Sequence, residues 1–257
     1  MREFFGFGGY QREAEGAFSW QHLLFVTSLM VVMILLAVVL GKRNRDASME
    51  QKNRPMIWSA ILIDGFEILK IIVMGLRSDD PMFWTRMLPL FLCSIQLITI
   101  PLAAFSKGRI QEAALDFVSI FGVLGAVLGT YCATQNYGVY PVLSVDNVVS
   151  GITHSISGFA ALYILISGEG SLKKENMWIT FLVLLSFCIT AYTANILVDY
   201  NYMFLMQGDG TPYDILYNLV NGNRVLYPLG VVALFLVYIC GFYGVHFCLT
   251  RKQEAKV

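Results

Sequence analysis

The sequence predicts an all-α polytopic membrane bundle of about seven transmembrane helices, with the N-terminus outside and the C-terminus in the cytosol. Three observations predict it. Hydrophobic residues make up 56% of the 257 residues and charged residues only 14%. An average soluble domain carries about 25% charged residues, so too few polar side chains remain to coat a water-facing surface. Apolar runs of about 20 residues recur along the chain, the length that crosses a hydrocarbon core of about 30 Å at the helical rise of about 1.5 Å per residue. Finally, lysine and arginine alternate between connecting loops as the positive-inside rule requires.

The first run, Trp20–Gly41, follows Glu13 and Glu15 and is too long for the h-region of a cleaved signal. Pro55–Leu76 is long enough to be span two but contains Asp64, Glu67 and Lys70. It is counted because omitting it would invert the next segment against the charge rule. Span three, Thr85–Phe105, carries Pro89 and Pro101, which mark a kink. Spans four to seven are Ala113–Ala133, Val148–Ser167, Met177–Val198 and Val225–Leu249. The loops after spans one, three and five and the C-terminal tail hold twelve Lys and Arg, and the alternate segments hold five. The richer set belongs in the cytosol. In the last external loop, Asp199–Arg224, Gly208, Gly210 and Pro212 mark a turn, and 214–220 is expected as a brief interfacial helix. The whole chain, 1–257, reads as one integral membrane domain, multi-pass in the cell membrane.

The formal net charge is zero, which gives no basic field for nucleic acid. Cys93, Cys132, Cys188, Cys240 and Cys248 all lie in apolar stretches, with no zinc spacing and an odd count for a disulfide framework. No phosphate loop and no HExxH motif is present, and the last span has no lysine for a retinal Schiff base. No metal and no cofactor is expected. Gly122, Gly125, Gly129, Gly151 and Gly158 read as helix-packing positions. The oligomeric state is left open.

Chemistry is expected where charge sits inside a span, because each such residue costs about 2.5–3.5 kcal/mol at the bilayer centre on insertion scales. Asp64, Glu67 and Lys70 follow one another at three-residue spacing, on one helix face. Counting inward at the helical rise puts Lys70 about 9 Å below the outer end of span two, Cys93 about 12 Å down span three, and His154 about 9 Å down span five, with Gln96 deeper than Cys93. Asn195 and Asp199 close the outer end of span six, and the loop adds Asn201 and Tyr202. These polar groups converge on the outer half of the bilayer. His22 and His246 lie near span ends and read as interfacial.

Two stretches carry a resemblance over nearly the whole chain. Leu88-Pro89-Leu90-Phe91-Leu92-Cys93 resembles the LPLHLC motif of the bacterial YwaF-like integral membrane family. Asn201-Tyr202-Met203-Phe204-Leu205, followed by Pro212 and a final aliphatic span, resembles that family's NYMFL segment. The family is similar to the eukaryotic transmembrane protein 164 group, regarded as phospholipid acyltransferases that use a cysteine. Here Phe91 stands where the motif has histidine, and Cys93 is offset from the eukaryotic cysteine, which precedes the histidine. His154 is then the remaining candidate base.

The resemblance implies a membrane enzyme acting on lipid, with acyl transfer as its reaction and membrane lipids as its partners. His154 would take a proton from the attacking group or from Cys93, and Glu67 or Asp199 would orient the imidazole. Gln96 and Asn201 would donate to the oxyanion. Asn195 and Tyr202 complete the expected substrate-binding set with Lys70. The alternative is a small-solute transporter or a ligand-binding receptor, with Asp64, Glu67 and Lys70 as the solute or proton site.

Overall fold

The computed structural model describes residues 2–170 and 172–254. In chain order the helices are α1 (Arg2–Phe5), α2 (Trp20–Asn44), α3 (Met49–Arg77), α4 (Gln96–Phe105), α5 (Arg109–Tyr131), α6 (Thr134–Val139), α7 (Val145–Ser167), α8 (Lys174–Val198), α9 (Tyr213–Leu219) and α10 (Leu226–Glu254), with 3₁₀ turns at Phe83–Arg86 and Tyr202–Phe204. No strand occurs among the described residues. The molecule is a polytopic all-α membrane protein, as its composition predicts.

Local sequence sets the helix ends. Ser19, Ser48 and Ser144 each sit in extended backbone and accept from the amide three residues on, satisfying a free N–H of α2, α3 and α7. Gly168 ends α7 in the left-handed conformation that a side chain disfavours. Among the described residues, five stretches are long and apolar enough to cross a membrane: Trp20–Asn44, Arg109–Val139, Val145–Ser167, Lys174–Val198 and Leu226–Cys248. Helix α3 has the length, 29 residues, but carries the predicted charges.

Span three departs from expectation. Instead of one helix over Thr85–Phe105, a 3₁₀ turn at Phe83–Arg86 is followed by irregular backbone, and only Gln96–Phe105 is α-helical. Pro89 explains the break. It has no N–H to continue a helix, and it biases Leu88 away from helical backbone. Non-helical backbone at membrane depth is tolerated where protein buries it or a polar cavity meets it.

The helices form two compact units, Met1–Met87 with Leu92–Ser171, and Leu88–Phe91 with Leu172–Val257. In the first, α7 packs against α2, α3 and α5, and α5 is buried at every position from Ala114 to Gly122. It packs against α7 through small residues: a side chain at Gly122 would meet the Ser157 carbonyl and the Ala161 methyl, and one at Gly158 the Ala126 methyl. Such close approach supplies van der Waals contact where lipid offers no hydrophobic drive. Met56, Ala60 and Ile63 of α3 and Ile100 and Ala103 of α4 complete this core.

At one end of this unit lies a buried ion pair. Arg77, the last residue of α3, meets Asp146 in the first turn of α7 through both guanidinium nitrogens, one of them at 3.0 Å. The same guanidinium donates to the Phe5 carbonyl at 3.1 Å and to the Tyr10 hydroxyl at 2.9 Å. Tyr10 in turn donates to Asp146. Partial burial, and then the Asp146 carboxylate, push the Tyr10 hydroxyl up to about 12. The cluster ties the N-terminal segment to two helices.

His22, placed near a span end by the sequence, is fully buried within the protein. Its Nδ1 accepts from the Phe18 amide at 2.9 Å and its Nε2 donates to the Thr130 carbonyl at 3.0 Å. Both nitrogens serve the structure.

In the second unit, Tyr202, Met203, Tyr227 and Tyr243 are buried. Met203 and Phe204 both take φ of 55°, a region costly for residues with side chains. Asn195 of α8 holds that backbone. Its amide nitrogen donates to the Tyr202 carbonyl at 3.0 Å, and its oxygen accepts from the Tyr202 amide at 2.6 Å.

Candidate functional site

The break in span three frees Cys93 from a helical environment, and the next turn starts α4 with Gln96. Cys93 is half-buried and rests against α5 at Gly125. A Cβ built on Gly125 would lie 3.8 Å from the Cys93 Cβ. One turn further along α5, Gly129 faces His154 of α7, and any side chain there would occupy the space of the imidazole. Cys93 and His154 therefore sit on the same face of α5, at positions about 6 Å apart along its axis. Two glycines that the sequence assigned to packing also lie against Cys93 and His154, the two candidate catalytic side chains.

Glu67 and Lys70 form an ion pair at 2.7 Å, each about five-sixths buried, with 17% of the side chain exposed. Their position on α3 brings the pair to the same site. Lys70 lies within electrostatic range of both Cys93 and His154, and Glu67 of Cys93. Asp64 lies one turn before Glu67 on the same helix.

Gln96 is fully buried. Its oxygen accepts from the Thr99 hydroxyl at 3.1 Å, and its amide nitrogen has no hydrogen-bond partner among the described residues. An unmade bond from a buried donor costs about 1–3 kcal/mol, so this nitrogen is available to an acceptor that enters the site. Ser157, one turn after His154 on α7, likewise has a buried hydroxyl oxygen without a partner. Sequence reasoning passed over Ser157, whose spacing from His154 was the available signal.

The remaining predicted residues belong to the second unit and are engaged there. Asn195 spends both ends of its amide on Tyr202. Asn201 donates to the Gln207 carbonyl at 2.8 Å and to Asp209 at 2.6 Å, and accepts from the Met206 amide. These bonds make it a loop clasp rather than an oxyanion donor. Asp199 is exposed, at the left-handed end of α8. The Tyr202 hydroxyl accepts from the Leu88 amide at 3.3 Å, and the Phe91 ring lies edge-on to Tyr202 with centroids 5.3 Å apart. Tyr200 and Phe204 complete an aromatic cage around Phe91. The two stretches that carried the resemblance therefore pack on each other.

Fold and site define a polytopic helical membrane protein that holds a thiol, an imidazole and an ion pair together within its helices. The chain belongs to the TMEM164 family, whose model matches residues 17–243. No curated protein and no solved structure matches it.

Proposed function

We propose that the chain is a lipid-acting membrane enzyme that moves acyl chains between phospholipids, within a seven-span topology in the cell membrane, N-terminus outside. The observation that carries this reading is the seating of Cys93 and His154 on one face of α5 beside the Glu67–Lys70 pair and the unpartnered Gln96 amide. Family membership and the resemblance to phospholipid acyltransferases support it.

In the proposed reaction His154 takes the proton from a lysophospholipid hydroxyl, and the oxygen attacks the ester carbonyl carbon of a donor phospholipid. Gln96 donates to the resulting oxyanion, and the Lys70 ammonium favours its charge. The intermediate collapses by breaking the donor's ester C–O bond. The imidazolium returns its proton to the departing alkoxide, which leaves as a new lysophospholipid. In a two-step variant Cys93 gives its proton to His154 and attacks the donor ester, whose C–O bond breaks to release a lysophospholipid that takes that proton. The acceptor hydroxyl, deprotonated by His154, then breaks the thioester C–S bond, and the thiolate regains the proton.

Purified protein in vesicles should transfer a labelled acyl chain from phospholipid to lysophospholipid. No transfer with several donors would favour the second reading, transport of a small solute. One observation favours that reading: span three is discontinuous, as in many transporters. Solute uptake into sealed vesicles distinguishes the two.

A further inference from the structure

On the side of α7 away from His154 lies a second feature. A groove of about 790 Å³ runs between α2 and α3 and is floored by α7. That volume falls within the range of ligand pockets, about 300–1,000 Å³. Val32 and Leu36 form one wall, and Trp58 and Leu62 the other. The floor is Ile152, Ser155, Ile156 and Phe159. Those four recur at three- and four-residue spacing and so share a helix face. His154 is off that face and turned toward Gly129 of α5. The groove is thus separate from the Cys93 and His154 site.

Its polarity is one-sided. From Leu29 to Arg43 along α2 the lining runs about 21 Å at the helical rise, and it is apolar until its last turn. Arg43, Asn44, Gln51 and Arg54 then gather at one end. Arg43 is exposed and makes no hydrogen bond or ion pair among the described residues. Arg54 pairs with Glu50 at 3.4 Å and is largely exposed, with no other ion pair among the described residues. The connecting stretch from 42 to 54 carries Lys42, Arg43, Arg45, Lys52 and Arg54 against Asp46 and Glu50. A long apolar trough with cations at one end complements an amphiphile with an apolar tail and one anionic end. A helix from a second copy would not need that arrangement.

We propose that this groove binds an anionic phospholipid, one acyl chain along α2 and α3 and its phosphate held by Arg43 and Arg54. The hairpin's anchors fit a lipid clamp. Tyr163 donates to the Lys52 carbonyl at 2.7 Å and accepts from Asn44 at 2.9 Å, fixing both sides of the mouth.

Trp58 is the reporter, since it lines the groove and is 63% exposed. The full chain, with Trp20, Trp84 and Trp178 replaced by Phe, is reconstituted in phosphatidylcholine vesicles. Brominated phosphatidylglycerol or brominated phosphatidylcholine is titrated in as a quencher. Quenching should favour the phosphatidylglycerol by roughly fivefold per arginine engaged. In the exposed-site double variant Arg43→Gln/Arg54→Gln the preference should vanish, with the α-helical circular dichroism unchanged. Equal quenching by both lipids in the parent, or a preference that survives the double substitution, overturns the assignment. Quenching by neither would mean that protein covers the groove, and also overturns it.

Discussion

The imidazole of His154 on α7 occupies the space that a side chain at Gly129 on α5 would fill. The candidate base is therefore positioned by the absence of a side chain on its neighbour. Four residues earlier Gly125 leaves room for Cys93, but less tightly, since an added Cβ there would stand 3.8 Å away, an ordinary contact.

This difference predicts a difference between two small substitutions. Gly129→Ala should displace the imidazole and lower acyl transfer about 100-fold, as misplacement of about 1 Å does in other sites. Gly125→Ala should leave transfer close to the parent's. Overpacking costs about 1–3 kcal/mol, so thermal stability of both variants is measured alongside. Equal transfer in the two variants would contradict the seating of His154 by Gly129.

The Glu67–Lys70 pair predicts strong coupling. Lys70→Met leaves a carboxylate largely buried, so it should destabilise the protein more than Lys70→Met combined with Glu67→Gln. A double-mutant cycle in detergent should return an interaction of about 1–3 kcal/mol. Strict additivity would contradict the pair.

Glu169 predicts a pH dependence at the α7–α8 connection. Its side chain is buried, both carboxylate oxygens lack hydrogen-bond partners among the described residues, and burial pushes it up to about 8 despite the lowering effect of Lys52. Between about 4.5 and 8 the folded protein thus binds more protons at this residue than the unfolded chain. Its contribution to stability is complete below the unfolded value and is lost as pH rises toward about 8. Melting temperature should fall over that window in the parent, and Glu169→Gln should flatten the fall. An unchanged slope in the variant would remove Glu169 as its cause.

Topology gives a separate prediction. In a background lacking the five native cysteines, a cysteine at Ser48 should stay unlabelled by an impermeant reagent in intact cells. One at Gly210 should be labelled. Labelling at Ser48 would invert the proposed orientation, which rests on the distribution of lysine and arginine.

Much of the fold was legible because length and apolarity suffice for membrane helices. Trp20, Ser167 and Val198 are helix ends both in the sequence reading and in the structure. Span three was misjudged because Pro89 was read as a kink within one helix, whereas the run is α-helical only from Gln96 to Phe105. The Glu67–Lys70 pair was legible from three-residue spacing. The Arg77–Asp146 pair was not, because its partners lie 69 residues apart. Its only signal was one cation and one anion at matching ends of two spans. Asn195 and Asn201 looked like site residues because polar groups at span ends attract that reading. Their bonds instead hold the strained turn at Met203, which no spacing rule announces.

The central claim is that His154 is the base of an acyl-transfer site. It is tested most directly by exchange of a labelled acyl chain between phospholipid and lysophospholipid, with purified parent, His154→Ala and Cys93→Ser proteins. Phe91 stands where the motif has histidine, and its ring is packed among Tyr200, Tyr202 and Phe204, so the proposed mechanism assigns the proton transfer to His154, a role typically worth about 10²–10⁴-fold in rate. The account predicts exchange in the parent, none above background in His154→Ala, and partial exchange in Cys93→Ser. Full exchange in folded His154→Ala protein would contradict it.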